Sequence, residues 1–273
     1  MKKETIIENI FNVKALSYEY IETGLTNDNY VVTLPDQKVV LRIPRIQNQG
    51  LFNYELESKV LNEIKPLNLE PNLIYYNKLT GVKCSEYIEN SETFNISYIE
   101  RSAILIRKLH DANIQTGVNF NIKDKFHMYK ERVQHPLFDT DFAHHVIDNL
   151  KVENVRLCHN DIVAGNLLFS DTKDYLIDFE YAADNDPFFD IMSFITENDI
   201  TNPQLRNTFY WAYFERNPTA QELDRLHKFE IVHHVLWCEW AMMMYELHHH
   251  QIYKDIASLK YKRLMECTKK AEF

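Results

Sequence analysis

Glycine is scarce in this chain of 273 residues, which holds only 5 of them. Collagen-like, elastic and glycine-loop-dominated designs are thereby excluded. Cysteine is scarce too. Cys84, Cys158, Cys238 and Cys267 are widely scattered and none belongs to a CxxC pair. That argues against a thiol metal site and predicts reduced thiols in a cytoplasmic protein. No apolar run approaches the ~18 residues of a membrane-spanning helix, so no membrane partner is expected. Glu4 and Glu8 break up the apolar residues that follow Lys2 and Lys3, so no signal peptide is expected. Positive charge is in deficit: Lys and Arg number 30 against 40 Asp and Glu, a formal net charge of -10. A phosphate backbone would be repelled, and no basic cluster offsets this, so nucleic acid is excluded and cationic partners are favoured.

Aromatics are plentiful, with 16 Tyr, 16 Phe and 3 Trp in a chain that is 45% hydrophobic. They suffice for a core and for a pocket lining as well. The pattern changes along the chain. An opening helix is followed by short strands at Leu16 to Glu22, Tyr30 to Leu34 and Lys38 to Ile43. The run Gly24 to Asn29 reads as the turn between the first two. Leu56, Val60, Leu61 and Ile64 recur at helical spacing, and strands return at Asn72 to Tyr76 and Val82 to Ile88. From about residue 95 the chain reads as mostly helical. Ile96 to His110, Phe188 to Asn198, Pro203 to Phe214, Ala220 to Leu247 and Ile252 to Lys270 are the main candidates. Short strands and loops intervene near Arg156 to His159, Asn166 to Phe169 and Asp174 to Asp178. The fold class expected is α+β, with a small β-rich N-terminal lobe at 1–88 and a larger, mostly helical lobe at 89–273.

The sharpest segment is His159-Asn160-Asp161 followed by Asn166, an H-x-D-x-x-x-x-N pattern flanked by apolar residues. Asp178 ends the apolar run Tyr175-Leu176-Ile177 twelve residues further on. Phosphoryl transfer needs an acidic group to orient the acceptor hydroxyl and oxygen ligands to hold Mg²⁺ on the phosphates. Asp161 suits the first role, Asn166 and Asp178 the second, and His159 would brace the loop. The plain alternative is a polar turn before a strand that ends in Asp. Upstream, Arg42 lies on the third strand and Glu57 on the helix after it, a cation and carboxylate fit to pair beside nucleotide phosphates. The alternative there is a surface Arg and a solvated Glu.

These residues resemble the choline/ethanolamine kinase family, of the bacterial choline kinase type, within the aminoglycoside-phosphotransferase-like kinase superfamily. Gly24-Leu25-Thr26-Asn27 is similar to its phosphate loop, and Val40-Leu41-Arg42 to its ATP-contacting strand. Leu56-Glu57-Ser58 with Pro71 is similar to its pairing helix, and His159 to Asn166 to its catalytic loop. Leu176-Ile177-Asp178-Phe179-Glu180-Tyr181, with Asn185 and Phe189-Asp190-Ile191, is similar to its metal-binding motif. The resemblance implies a two-lobed protein-kinase-like fold with ATP and Mg²⁺ in the cleft. Thr26 and Asn27 would meet phosphate, and Glu86 to Ile88 would be the hinge that meets adenine. Asp161 would be the base, Asn166 and Asp178 the metal ligands, and Glu180 their neighbour. Glu197 and the pair Trp237 and Trp240 would form the choline pocket, with Tyr253 and Tyr261 in the region that supplies further aromatics. Two departures stand out: Thr23 takes the place of a second glycine, and Asn198 follows Glu197 where a Trp is common in eukaryotic relatives.

A quaternary ammonium has no N–H to donate and is held by aromatic faces and nearby negative charge, so two Trp and a Glu are chemically apt. Without the family, a Trp pair at helical spacing reads as core packing. The function expected is an ATP-dependent phosphorylation of the choline hydroxyl. The alternatives are a kinase for ethanolamine, thiamine or an aminoglycoside, or a non-catalytic scaffold. The pairs His144-His145 and His233-His234 and the run His248-His249-His250 are expected at the surface or a pocket rim, because adjacent helical side chains point about 100° apart and rarely share one ion. His234 and Glu230 are expected to pair on a helix surface. No dimer motif is evident, and the oligomeric state is left open.

Overall fold

A computed structural model describes residues 2–22, 26–46 and 50–269 of the protein. Helix α1 (Lys3–Phe11) leads into β1 (Ser17–Ile21), β2 (Asn27–Thr33) and β3 (Lys38–Pro44), then α2 (Tyr54–Glu63), β4 (Leu73–Tyr76) and β5 (Lys83–Glu86). The strands form one antiparallel sheet in the order β1-β2-β3-β5-β4. Alternation along β3 turns Val39 and Leu41 inward, where they join Ile6 and Ile7 of α1 and Val32, Val82 and Cys84. Arg42, one residue on from Leu41, is thereby presented to the other face. Asn27, Asp28 and Asn29 are not a turn, as the sequence suggests, but the first residues of β2, opposite Pro44, Ile43 and Arg42. Cross-strand pairing and the Asp28–Arg45 ion pair at 2.9 Å override their local turn preference.

The remainder is mainly helical. In order come β6 (Glu92–Thr93), α3 (Ile99–Asp111), α4 (Ile122–Arg132), α5 (His144–Asp148), β7 (Arg156–Cys158), β8 (Leu167–Phe169), β9 (Asp174–Leu176) and β10 (Ala183–Asn185). Four long helices follow: α6 (Pro187–Glu197), α7 (Pro203–Phe214), α8 (Ala220–His248) and α9 (Gln251–Lys269). Strand β10 pairs with β7, and β6-β8-β9 make a three-stranded sheet. The two- and three-residue strands β6 and β10 are too short to leave a periodic signal.

Helix α6 starts on an Asp186 cap with Pro187 in its first turn, and every residue from Pro187 to Thr196 is buried. Helix α8 starts on a Thr219–Glu222 capping box and is buried all round from Ile231 to Met244, the mark of a core helix. Val60 and Leu61 of α2, with Ile64 and Leu69 beyond it, belong to the same core as Ile106, Phe189 and Leu236. The helix that carries Glu57 is thus anchored in the helical part as much as in the sheet part. All four cysteines are buried. Among the described residues no helix is long and apolar enough to cross a membrane.

The histidines differ from expectation at one pair. His233 and His234 lie inside the core because α8 has no solvent face at that point. Glu230 does not pair with His234; Arg206 takes it, with hydrogen bonds of 3.0 and 2.6 Å.

Candidate active site

The loop after β7 is built around two buried polar groups. Asn160 adopts the left-handed conformation, φ 66°, which Asn tolerates better than most residues. Its amide donates to the carbonyls of Cys158, Tyr181 and Ala183 at 3.3, 3.1 and 3.2 Å, and its oxygen accepts from Asn185 at 2.8 Å. Asp190 of α6 accepts from the backbone N–H groups of His159 and Asn160, both at 2.7 Å, and lies 3.0 Å from His110 Nε2. Burial alone would push the Asp190 carboxyl up, but His110 and these donors outweigh it and hold it below the usual range. His159 is wholly buried. Its Nε2 donates to the Ile177 carbonyl at 2.9 Å and its Nδ1 accepts from Asp161 N–H at 3.3 Å. His159, counted with the catalytic loop and expected to brace it, has both ring nitrogens engaged within the fold. Its place is that of a brace.

Asp161 and Asn166 meet within this loop. Asn166 Nδ2 donates to the Asp161 carbonyl at 2.9 Å and reaches its carboxylate at 3.5 Å. Asp178 follows β9 in a left-handed conformation, φ 68°, with its N–H on Glu70 at 3.2 Å. Its carboxylate accepts from Arg42 Nη1 at 2.6 Å. Arg42 Nη2 donates to Glu57 at 2.7 Å and to the Gly81 carbonyl at 3.2 Å. Arg42 is 5% exposed and Glu57 1%, so neither is a surface residue. Burial works against the Arg42 charge, yet Glu57 and Asp178 hold its pKa well above the ordinary value.

Thr26 and Asn27 both face Glu180. Thr26 Oγ1 and Asn27 Nδ2 donate to its two carboxylate oxygens, each at 2.8 Å. Gly24 and Leu25, the rest of the expected phosphate turn, lie outside the described residues. Burial, with Glu197 and Asp178 nearby, pushes Asp161 up to about 8. Burial and Asp178 also raise Glu180. Glu57, Asp178 and Glu180 thus gather about a single guanidinium, and Asp178 also acts on the charge of Asp161, a concentration of hard oxygen donors and negative charge that fits a divalent cation. At the proposed hinge, Glu86 ends β5 opposite Val39, Tyr87 N–H donates to the Lys38 carbonyl at 3.4 Å, and the Ile88 carbonyl accepts from Ser91 at 2.9 Å.

Tyr181, on which the Asp161 charge acts, belongs to a cluster of aromatic rings. Trp237 and Trp240 share one face of α8 and meet edge to face at 5.8 Å. Tyr181 packs edge-on to Trp237, and Tyr253 of α9 packs edge-on to Trp240, each at 5.8 Å. Trp237 Nε1 donates to His233 Nδ1 at 3.1 Å, and His233 Nε2 donates to the Phe189 carbonyl at 2.8 Å. The Lys125 ammonium lies 5.8 Å from the centre of the Tyr181 ring and 4.7 Å from that of Phe120. Tyr261 stacks instead on Phe138, at 4.7 Å. Glu197 ends α6 and is held by Lys260 of α9 at 2.6 Å. Asn198 is turned inward, donating to the carbonyls of Ile162 and Phe194 at 3.1 and 2.8 Å.

The sequence assigned no site role to Tyr181, Lys125 or Lys260. Of the three only Tyr181 carried a signal, since it directly follows Glu180 in the metal-binding stretch.

Comparison with known proteins adds to this geometry. Residues 97–228 match the profile of the family described as "Phosphotransferase enzyme family". The chain is 27% identical over 254 residues to protein LicA of Haemophilus influenzae, a match that covers 82% of this chain and 72% of that protein. It is similar in fold to the solved structure of choline kinase LicA from Streptococcus pneumoniae, with a TM-score of 0.82, 22% identity, and 97% and 98% of the two chains covered. A structure of LicA in complex with AMP gives a TM-score of 0.76 at 20% identity, covering 98% and 99%. The α+β fold is therefore kinase-like, and residues 97–228 of the chain are similar to the phosphotransferase enzyme family.

Proposed function

We propose that the protein is an ATP-dependent kinase that phosphorylates the hydroxyl of choline, giving phosphocholine and ADP. The observation that carries this reading is the position of Asp161. Asn166 reaches its carboxylate, Asp178 (the partner of Arg42) and Glu197 act on its charge, and its own charge acts on Tyr181, the first of the chain of rings that runs through Trp237, Trp240 and Tyr253. The names of the LicA relatives point to the same acceptor and to a nucleotide.

In this reading the cleft lies between a lobe of residues 1–88 and one of residues 89–273. The backbone of Glu86 to Ile88 meets adenine. Arg42, braced by Glu57, positions the phosphates, with Thr26 and Asn27 near them. Asn166 and Asp178 hold Mg²⁺, with Glu180 beside them. When bound, that ion neutralises charge on the phosphate oxygens. Asp161 orients the choline hydroxyl and accepts its proton, a role suited to a carboxyl raised to about 8, near a working pH. The aromatic rings hold the trimethylammonium end.

The test is ADP release with Mg²⁺-ATP across choline, ethanolamine, thiamine and kanamycin, with Asp161→Asn as the blank. Choline should lead. Turnover led by another acceptor would keep the kinase and assign Trp237 and Trp240 to packing. Nucleotide binding with no turnover of any acceptor would leave a non-catalytic scaffold.

A further inference from the structure

Glu197, the carboxylate of the proposed acceptor pocket, already has a cation. Lys260 Nζ lies 2.6 Å from Glu197 Oε1 and 3.4 Å from the Thr196 carbonyl. The pair is enclosed, with the Lys260 side chain 4% exposed and that of Glu197 16%. It adjoins the reacting end of the site, since Glu197 and Lys260 both act on the charge of Asp161, in opposite directions. Tyr253, which packs on Trp240, precedes Lys260 by seven residues, two turns of α9. One face of α9 therefore delivers both an aromatic ring and an ammonium to the same region.

A primary ammonium carries three N–H donors, and desolvating it costs heavily unless acceptors and negative charge receive them. A quaternary ammonium has no donors and is served by aromatic faces. By pairing with Glu197, Lys260 removes the net negative charge and occupies one of its oxygens. The rings remain. We infer that Lys260 is a specificity-determining residue: by neutralising Glu197 it makes the pocket prefer a quaternary ammonium alcohol to a primary one. This rests on the choline-kinase reading above and names what sets its selectivity. The competing role for the pair is a plain strut between α6 and α9.

The experiment compares kcat/KM for choline and for ethanolamine in the unaltered protein, Lys260→Met and Lys260→Arg. Lys260→Met should move the choline-to-ethanolamine ratio toward ethanolamine by about tenfold or more, while Lys260→Arg keeps the original preference. A strut would alter the melting temperature of Lys260→Met and leave the ratio within about twofold, which would overturn the inference while choline turnover by the unaltered protein still upheld the function. Should Lys260→Met fail to fold, Glu197→Gln decides. It leaves the Lys260 charge unbalanced, so the KM for choline should rise about tenfold with the KM for ATP unchanged; an unchanged choline KM would refute the inference. If the unaltered protein turned over neither alcohol, both the function and the inference would fall.

Discussion

Arg42 Nη1 lies 2.6 Å from Asp178 Oδ1, an ion pair that joins strand β3 of the sheet to the segment after β9 in the helical part. The other arm of the same guanidinium is held by Glu57. Arg42→Ala would leave Glu57 buried and uncompensated. The expected loss is about 3–5 kcal/mol of unfolding free energy, the usual cost of breaking a buried pair from one side. Arg42→Lys keeps the charge but not the fork, and should fall in between. Urea denaturation of the three proteins measures this, and equal midpoints would contradict it.

Asp161→Asn should lower kcat by about 10²–10⁴-fold, the usual contribution of a positioned base. It should not destabilise the fold at alkaline pH. The Asp161 carboxyl is raised in the folded state, so its ionisation works against folding as pH climbs toward about 8, and Asn removes that term. Melting curves at pH 8.5 should place the variant level with the unaltered protein or above it.

The buried His233 gives the protein an acid limit. Burial lowers its pKa to about 3, and the nearby Lys260 adds to the effect. Between the unfolded value near 6.5 and the folded value, the unfolded chain binds a proton that the folded chain refuses. Stability is therefore lost as pH falls through that window, by about 1.4 kcal/mol per pH unit for this group, and is insensitive to it above pH 7. His233→Gln retains a donor for the Phe189 carbonyl and an acceptor for Trp237. Its stability should fall less steeply from pH 6 to pH 4.5, and parallel curves for the two proteins would count against this assignment.

Trp240→Leu should raise the choline KM by about five- to thirtyfold, equivalent to the roughly 1–2 kcal/mol of a desolvated cation–π contact, and leave the ATP KM alone. Trp211, which is 59% exposed, is the natural control. In a Trp211→Phe background only Trp237 and Trp240 remain to report, so choline should quench the fluorescence of the protein. A signal indifferent to choline would return both rings to core packing.

The fold was legible wherever periodicity was long. Val39, Leu41 and the spacing of Leu56, Val60 and Leu61 placed β3 and α2 well, because each pattern repeats over enough residues to show. Asn27 to Asn29 misled, since their local turn preference is overridden by strand partners that no window of sequence contains. In the candidate site, the line from His159 to Asp178 was readable as a spacing because its parts lie on one short stretch of chain. Lys260 was not. A lysine in a helix looks solvated, and only the packing of α9 against α8 brings it, buried, to Glu197 at the end of α6. His233 and His234 were misjudged for the same reason: burial around the whole circumference of α8 is set by its neighbours.

The four buried thiols turn the chain into its own recorder of local opening. Burial pushes Cys84 and Cys238 up to about 12 and Cys158 well above the ordinary value, so these sulfurs are neither accessible nor ionised in the closed fold. An alkylating reagent reaches each one only when its surroundings come apart. Cys84 lies in the sheet, Cys158 at the end of β7 before the loop that holds Asp161, and Cys238 and Cys267 in the last two helices. The order in which the four become labelled under mild denaturant would rank the cooperative units of the molecule without any added probe.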